Sequence, residues 1–173
     1  MEEKPYIIDF EKLKPRVKGI RLNIGSGDNN LEGYVNVDRY NPNAEAPWDA
    51  GHIPLNDCSV AMIVCFQTIE HFGRHEILSI AKEWYRVCKH GGEVHVTTPD
   101  IVASCKMIVD DPKRQWLLAR IFGNQSHEGQ YHKWGYVTSE LSNIFGMAGF
   151  ASVTVANYIN TDESLYIYLK AIR

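Results

Sequence analysis

Two glycines and a carboxylate are the residues whose spacing first suggests chemistry. Gly25 and Gly27 stand one residue apart, directly behind the alternating run Ile20 to Ile24. A turn of that kind lets the backbone come close to a ligand with no Cβ in the way. Asp38 ends a second, β-branched run from Tyr34, and a carboxylate at a strand end can accept both hydroxyls of a ribose. A dinucleotide fingerprint would need a third glycine where Asn30 stands, to bring a pyrophosphate onto a helix N-terminus. An NAD-linked oxidoreductase is disfavoured on that ground, and a nucleoside ligand without a pyrophosphate fits better.

Three histidines could do acid–base work, because imidazole titrates near neutral pH without perturbation. His71 follows the apolar run 61–66, at the carboxyl edge of a sheet where open α/β folds bind their ligands. His127 and His132 fall with Tyr131 in the polar, aromatic stretch 123–136, a length of irregular chain that is often a functional loop. As metal ligands, His127 and His132 lack helical i,i+4 spacing and a clear third partner, so no metal centre is expected.

The elements that must position these groups are legible in the pattern. Continuous apolar residues from Ala61 to Phe66 suit a strand buried on both faces, as in a parallel sheet. From His75 to His90, Ile77, Ile80, Ala81, Trp84, Val87 and Cys88 recur at three- and four-residue spacing, which predicts a helix with one apolar face, ended by Gly91-Gly92. A strand over 93–98 follows, so strand, helix and strand make a βαβ unit. Residues 101–122 read as one or two helices broken near Pro112. Thr138 is expected to cap a helix through Ala148, ended by Gly149. Two strands, 152–158 and 165–171, close the chain.

Composition sets the outer bounds. The 173 residues are 45% hydrophobic and 23% charged, with a net charge of −3, as in one ordinary globular domain. A basic arm is read over residues 1–19, ahead of a single domain over 20–173. It has no dense basic face, so a nucleic-acid partner is disfavoured. No apolar run is long enough to span a membrane, and no signal peptide is read at the start. Four scattered cysteines without a CxxC pair fit reduced thiols in a cytoplasmic protein. Oligomeric state is not readable.

The order and spacing of several segments resemble the class I S-adenosylmethionine-dependent methyltransferases, and within them the small type 11 methyltransferase-like group, often associated with sugar or polysaccharide metabolism. The resemblance starts with Leu22-Asn23-Ile24-Gly25-Ser26-Gly27 and Gly33-Tyr34-Val35-Asn36-Val37-Asp38. It continues through Ile69-Glu70-His71-Phe72, the segment 83–92 and Thr98-Pro99-Asp100, and ends with His132-Lys133-Trp134-Gly135-Tyr136 and Ala148-Gly149-Phe150. It implies an α/β, Rossmann-like three-layer sandwich, with a mostly parallel seven-stranded sheet and an antiparallel final strand. It implies S-adenosylmethionine as cofactor, with Gly25, Ser26 and Gly27 facing the methionine part and Asp38 on the ribose. Asp49 would accept from the adenine amino group, and Phe66, Gln67 and Thr68 would lie near the sulfonium.

Two positions depart from the wider class. Only six residues, 28–33, separate Gly27 from Tyr34, too few for a first crossover helix. Asn23 stands where many class I enzymes carry an acid. The expected activity is methyl transfer to a small-molecule acceptor, a sugar or other hydroxyl compound, with residues 101–136 forming the acceptor side. His71 or His132 would be the base. The competing expectation is a non-catalytic binding or scaffold subunit of the same fold.

Overall fold

The structure is a computed structural model that describes residues 13–159 and 165–173. Most of the expected N-terminal arm therefore lies outside the described residues.

Three parallel strands, β1 (Ile20–Ile24), β2 (Val35–Val37) and β3 (Val60–Phe66), precede helix α1 (Ile77–Val87) and the long strand β4 (Cys88–Pro99). Helices α2 (Ile101–Asp110), α3 (Leu118–Phe122) and α4 (Thr138–Ala148) follow, and β5 (Ser152–Ile159) and β6 (Leu165–Ile172) end the fold. The six strands lie in the order β2-β1-β3-β4-β6-β5, and β6 runs antiparallel to both its neighbours. The Rossmann-like class and the antiparallel final strand agree with expectation. The seven-stranded count does not: among the described residues six strands form, and beyond β2 there is an isolated parallel bridge between Val37 and Ala46. Pro42 and Pro47 flank that stretch, and proline cannot donate to a ladder.

The main core lies on one face of the sheet. Leu22, Ile24, Ile63, Cys65, Val94 and Val96 meet the apolar stripe of α1 (Ile77, Ile80, Ala81, Trp84) and Phe145 of α4, all buried. On the opposite face, Met62 and Val64 are covered by Tyr34, Leu31 and Leu13. On the side of the main core the expected helical layer is present. Over β1 and β3 on the other, among the described residues, loop side chains take the place of a crossover helix.

Local chemistry explains how the short crossover holds. Asn36 Oδ1 accepts from both Asn23 Nδ2 and the Leu31 N–H, each at 2.9 Å, and Asn23 Nδ2 also donates to the Asn29 carbonyl at 2.9 Å. Two buried amides therefore satisfy backbone groups that a helix would otherwise have satisfied.

Helix α1 ends earlier than its periodicity predicts. It stops at Val87, and Cys88 already pairs with Val60 as part of β4. Gly91-Gly92 is not its cap. Between the pairs Val60–Cys88 and Met62–Glu93 the register shifts, so residues 89–92 form a bulge. Gly91 (φ +76°) and Gly92 exchange backbone hydrogen bonds with Arg173 there. Thr138 makes no side-chain cap on α4; it is the first helical residue after Val137. Gly149 does end that helix, at φ +112°.

Candidate active site

A cleft of about 410 Å³ opens at the carboxyl ends of β1, β2 and β3. The chain leaves β1 for β2 on one side and returns to β3 on the other, which is the switch point where open α/β sheets bind ligands. The volume is in the range of small-molecule sites.

The glycine turn forms one wall. Gly25 (φ +70°) and Gly27 (φ +49°) both need the left-handed region and both line the cleft. A Cβ on Gly25 would lie 2.2 Å from the Thr68 side chain, whereas one on Gly27 would meet nothing within 4 Å. Gly25 is therefore closed against the protein and Gly27 open to a ligand. Ser26 sits between them with a buried side chain, and its N–H donates to the Val37 carbonyl at 3.2 Å.

Asp38 is tied to that turn. Its Oδ2 accepts from the Gly27 N–H at 2.9 Å, and its Oδ1 accepts from the N–H groups of Tyr40 and Asn41 at 2.8 and 2.9 Å. The carboxylate thus shapes the turn as well as facing the cleft. Asp49 lines the same cavity. Its Oδ2 meets Arg39 Nη1 at 2.9 Å and its Oδ1 accepts from the Gly51 N–H at 2.8 Å. Helix α1 positions this loop: Trp84 Nε1 donates to the Ala50 carbonyl, and Arg86 bonds the carbonyls of Ile53 and Leu55, each at 2.9 Å. Asn23, held by Asn36 and Asn29, is occupied in supporting the crossover.

The segment after β3 forms the facing wall. Gln67 sits at φ +50°, a conformation that costs a non-glycine residue about 1–3 kcal/mol and gathers at functional sites. It is held by its N–H to the Thr97 carbonyl at 2.9 Å and by Nε2 to Thr97 Oγ1 at 3.1 Å. Gln67, Thr68 and His71 all line the cleft, whereas Phe66 packs with Met62 and Val64 on the far face of the sheet.

His71 and His132, sixty-one residues apart in the chain, come together. Their ring centroids are 4.8 Å apart, edge to face. Burial holds both imidazoles below their ordinary pKa, and His71 adds to the depression at His132, so both favour the neutral form. His127 does not join them; its ring lies 6.4 Å from that of Tyr40. The loop 123–136 reaches the cavity through Glu128, Gly129, Gln130 and Lys133. Sequence reasoning missed Glu70, which is buried, accepts from Thr98 Oγ1 at 3.0 Å and is pushed up to about 8 by burial. Its chain neighbour His71 was the only signal available.

Residues 35–96 match the family model described as a methyltransferase domain, type 11. The fold agrees with that match. A methyltransferase from Methanosarcina mazei superposes at TM-score 0.64 with 14% identity, covering 99% of each chain. One from Archaeoglobus fulgidus gives 0.63 at 13% identity, over 90% of this chain and 86% of the other. The chain thus carries a methyltransferase-domain match over those residues and shares the Rossmann-like fold of S-adenosylmethionine-dependent methyltransferases. The fold also resembles that of the Haemonchus contortus phosphoethanolamine N-methyltransferase 2, solved with phosphomonomethylethanolamine and S-adenosylhomocysteine. The TM-score there is 0.59 at 14% identity, over 92% of this chain and 50% of that longer one. Among curated proteins, none matches the sequence significantly. No helix among the described residues is long and apolar enough to cross a membrane.

Proposed function

We propose that the protein holds S-adenosylmethionine between Gly25–Gly27 and the loop around Asp49, and passes its methyl to a hydroxyl group of a small acceptor on the His71 side. The observation that carries this reading is the division of the cleft. One wall offers an open glycine, Gly27, joined to a strand-end carboxylate; the other offers a neutral imidazole next to Lys133. Gly25, Ser26 and Gly27 would follow the methionine part, Asp38 the ribose, and Asp49 the adenine. Gln67, at the strained end of β3, would stand beside the reacting centre.

The bound cofactor supplies a methyl already activated on a sulfonium. The protein's share is then to hold the acceptor oxygen in line with it, worth up to ~7–11 kcal/mol in favourable cases. The protein must also receive the hydroxyl proton. His71, kept neutral by burial, is the base that reaches the cleft, and His132 supports it from behind. Residues 101–136 form the acceptor side, with Glu128–Gln130 over the cavity mouth. A sugar or related polyol is the acceptor class that this polar wall favours.

Calorimetry with S-adenosylhomocysteine tests the cofactor half. Binding is expected, and absence of heat at millimolar ligand overturns it. Transfer of labelled methyl from S-adenosylmethionine to a panel of sugars, with amines as the contrast, tests the acceptor half. Label confined to the amines would overturn the hydroxyl reading.

A further inference from the structure

The pair of histidines has a third companion. One potential ligand atom each from Glu70, His71 and His132 lies within 4.8 Å of the others. We propose that these three residues bind one divalent cation of the first transition row, and that this cation holds and activates the acceptor hydroxyl. The inference rests on the methyl-transfer reading above for its role, though not for the existence of the site.

Three observations carry it. The donor set is two imidazoles and one carboxylate, a combination that leaves coordination positions open for exogenous ligands. The carboxylate is a buried one: Glu70 is 2% exposed, and Thr98 Oγ1 holds one of its oxygens at 3.0 Å. Buried carboxylates are rare unless paired or metal-bound.

The third observation concerns the imidazoles themselves. His71 Nδ1 lies 3.1 Å from the Tyr131 carbonyl, and His132 Nδ1 lies 3.0 Å from the Arg120 carbonyl. A carbonyl only accepts, so each ring carries its proton on Nδ1 and keeps a bare lone pair on Nε2. Backbone carbonyls that fix the tautomer in this way are the outer partners that metal-binding histidines use.

The surroundings narrow the ion. Lys133 and Arg120 stand close enough to act on His71 and Glu70. Their positive charge requires a donor set that binds tightly, and two imidazoles suit Mg²⁺, an ion of oxygen ligands, poorly. Nitrogen donors favour Mn²⁺, Fe²⁺, Co²⁺ or Zn²⁺. His71 reaches the cleft, so an acceptor hydroxyl oxygen can occupy an open position. Ligation lowers the pKa of that hydroxyl, and its proton leaves to solvent. The oxygen then forms the new O–CH₃ bond as the S–CH₃ bond breaks, and that bond's electron pair stays on sulfur. The imidazoles serve as ligands, and the ion does the work otherwise asked of a free base.

Cobalt(II) is the probe, added to the metal-stripped protein without any cofactor. Visible absorption bands and calorimetry should report one bound equivalent. Glu70→Gln and, separately, His132→Ala should each weaken binding at least tenfold, while S-adenosylhomocysteine affinity stays within about twofold. No cobalt binding at 1 mM by the unaltered protein would overturn the proposal. So would binding that persists unchanged in both variants, which would assign the ion to another site such as Cys58. Glu70→Gln preserves shape, and His132 is only partly buried, so the two variants guard against misreading a folding defect. Because S-adenosylhomocysteine binding is read in the same samples, failure of the metal site and failure of the cofactor reading are separable.

Discussion

At the scale of single residues, the cleft depends on positions that leave little freedom. Gly25 is the tightest. Alanine there would force a left-handed backbone, costing about 1–3 kcal/mol, and would push a methyl to within 2.2 Å of Thr68. Gly25→Ala is expected to lower the unfolding midpoint and to displace the segment after β3, with S-adenosylhomocysteine affinity falling at least tenfold. Unchanged affinity would remove the turn from the site. Asp38→Ala strips the acceptor from three N–H groups of Gly27, Tyr40 and Asn41. Each unmade bond to a buried or half-buried donor costs about 1–3 kcal/mol at most, so both stability and calorimetric affinity should drop. The glycines and the carboxylate were legible in the sequence, because their chemistry is local to a strand end. Glu70 was not, since nothing in Ile69-Glu70-His71 says that the carboxylate is buried and aimed at a histidine sixty-two residues further along. That meeting is created by the path of residues 123–136, which no local pattern encodes.

At the scale of elements, the short crossover shows side chains replacing secondary structure. Asn36 is the hub, accepting from Asn23 and from the Leu31 N–H. Asn36→Ala leaves both donors without their partner in a buried corner, and a loss of at least about 2 kcal/mol is expected from two such donors. Urea unfolding checks it: the midpoint should fall with little change in slope. A midpoint equal to that of the unaltered protein would mean that the loop is held by other contacts. The sequence announced the missing helix, because six residues cannot contain one. It did not announce the substitute, because two asparagines thirteen positions apart look like ordinary polar strand residues until the strands pair. The misplaced end of α1 has a similar origin. The apolar periodicity runs on through Cys88, but Cys88 is claimed by Val60 across the sheet, and pairing overrides a helical pattern at its frayed end.

At the scale of the whole molecule, the second face of the sheet is apolar over β1 and β3 but buried and polar over β4. His95 is 1% exposed on β4, with Nδ1 2.6 Å from the Tyr168 hydroxyl and Nε2 3.6 Å from the Glu93 carboxylate, which Lys170 meets at 2.6 Å on its other oxygen. Burial lowers its pKa to about 4. An unfolded chain binds a proton there below about 6.5, and the folded one does not until pH 4. Stability supplied by the neutral histidine is therefore full above pH 6.5 and is lost as pH falls toward 4, by roughly 1.4 kcal/mol per pH unit and up to about 3 kcal/mol in all. Thermal melts across pH 7 to 4.5 should show this slope, and His95→Asn should flatten it. An unaltered slope in that variant would assign the acid sensitivity elsewhere. The parallel βαβ unit was legible from the run of strands and helices, and the antiparallel final strand came with the family resemblance; the missing seventh strand was not legible, because Val37 and Ala46 pair at a single bridge.

Arg173 closes the bulge in β4. Its Nη1 reaches the carbonyls of Tyr85, Arg86 and Cys88, and its backbone exchanges hydrogen bonds with Gly91 and Gly92. The last turn of α1 therefore takes its closing partner from a residue eighty-six positions after Val87. On a ribosome, the cofactor-side half of this protein would be complete long before that arginine is made. Until it emerges from the exit tunnel, β4 has no antiparallel neighbour and the carbonyls ending α1 lack their cation. Cotranslational folding of this protein should thus pause at an open-edged intermediate until β6 pairs with β4.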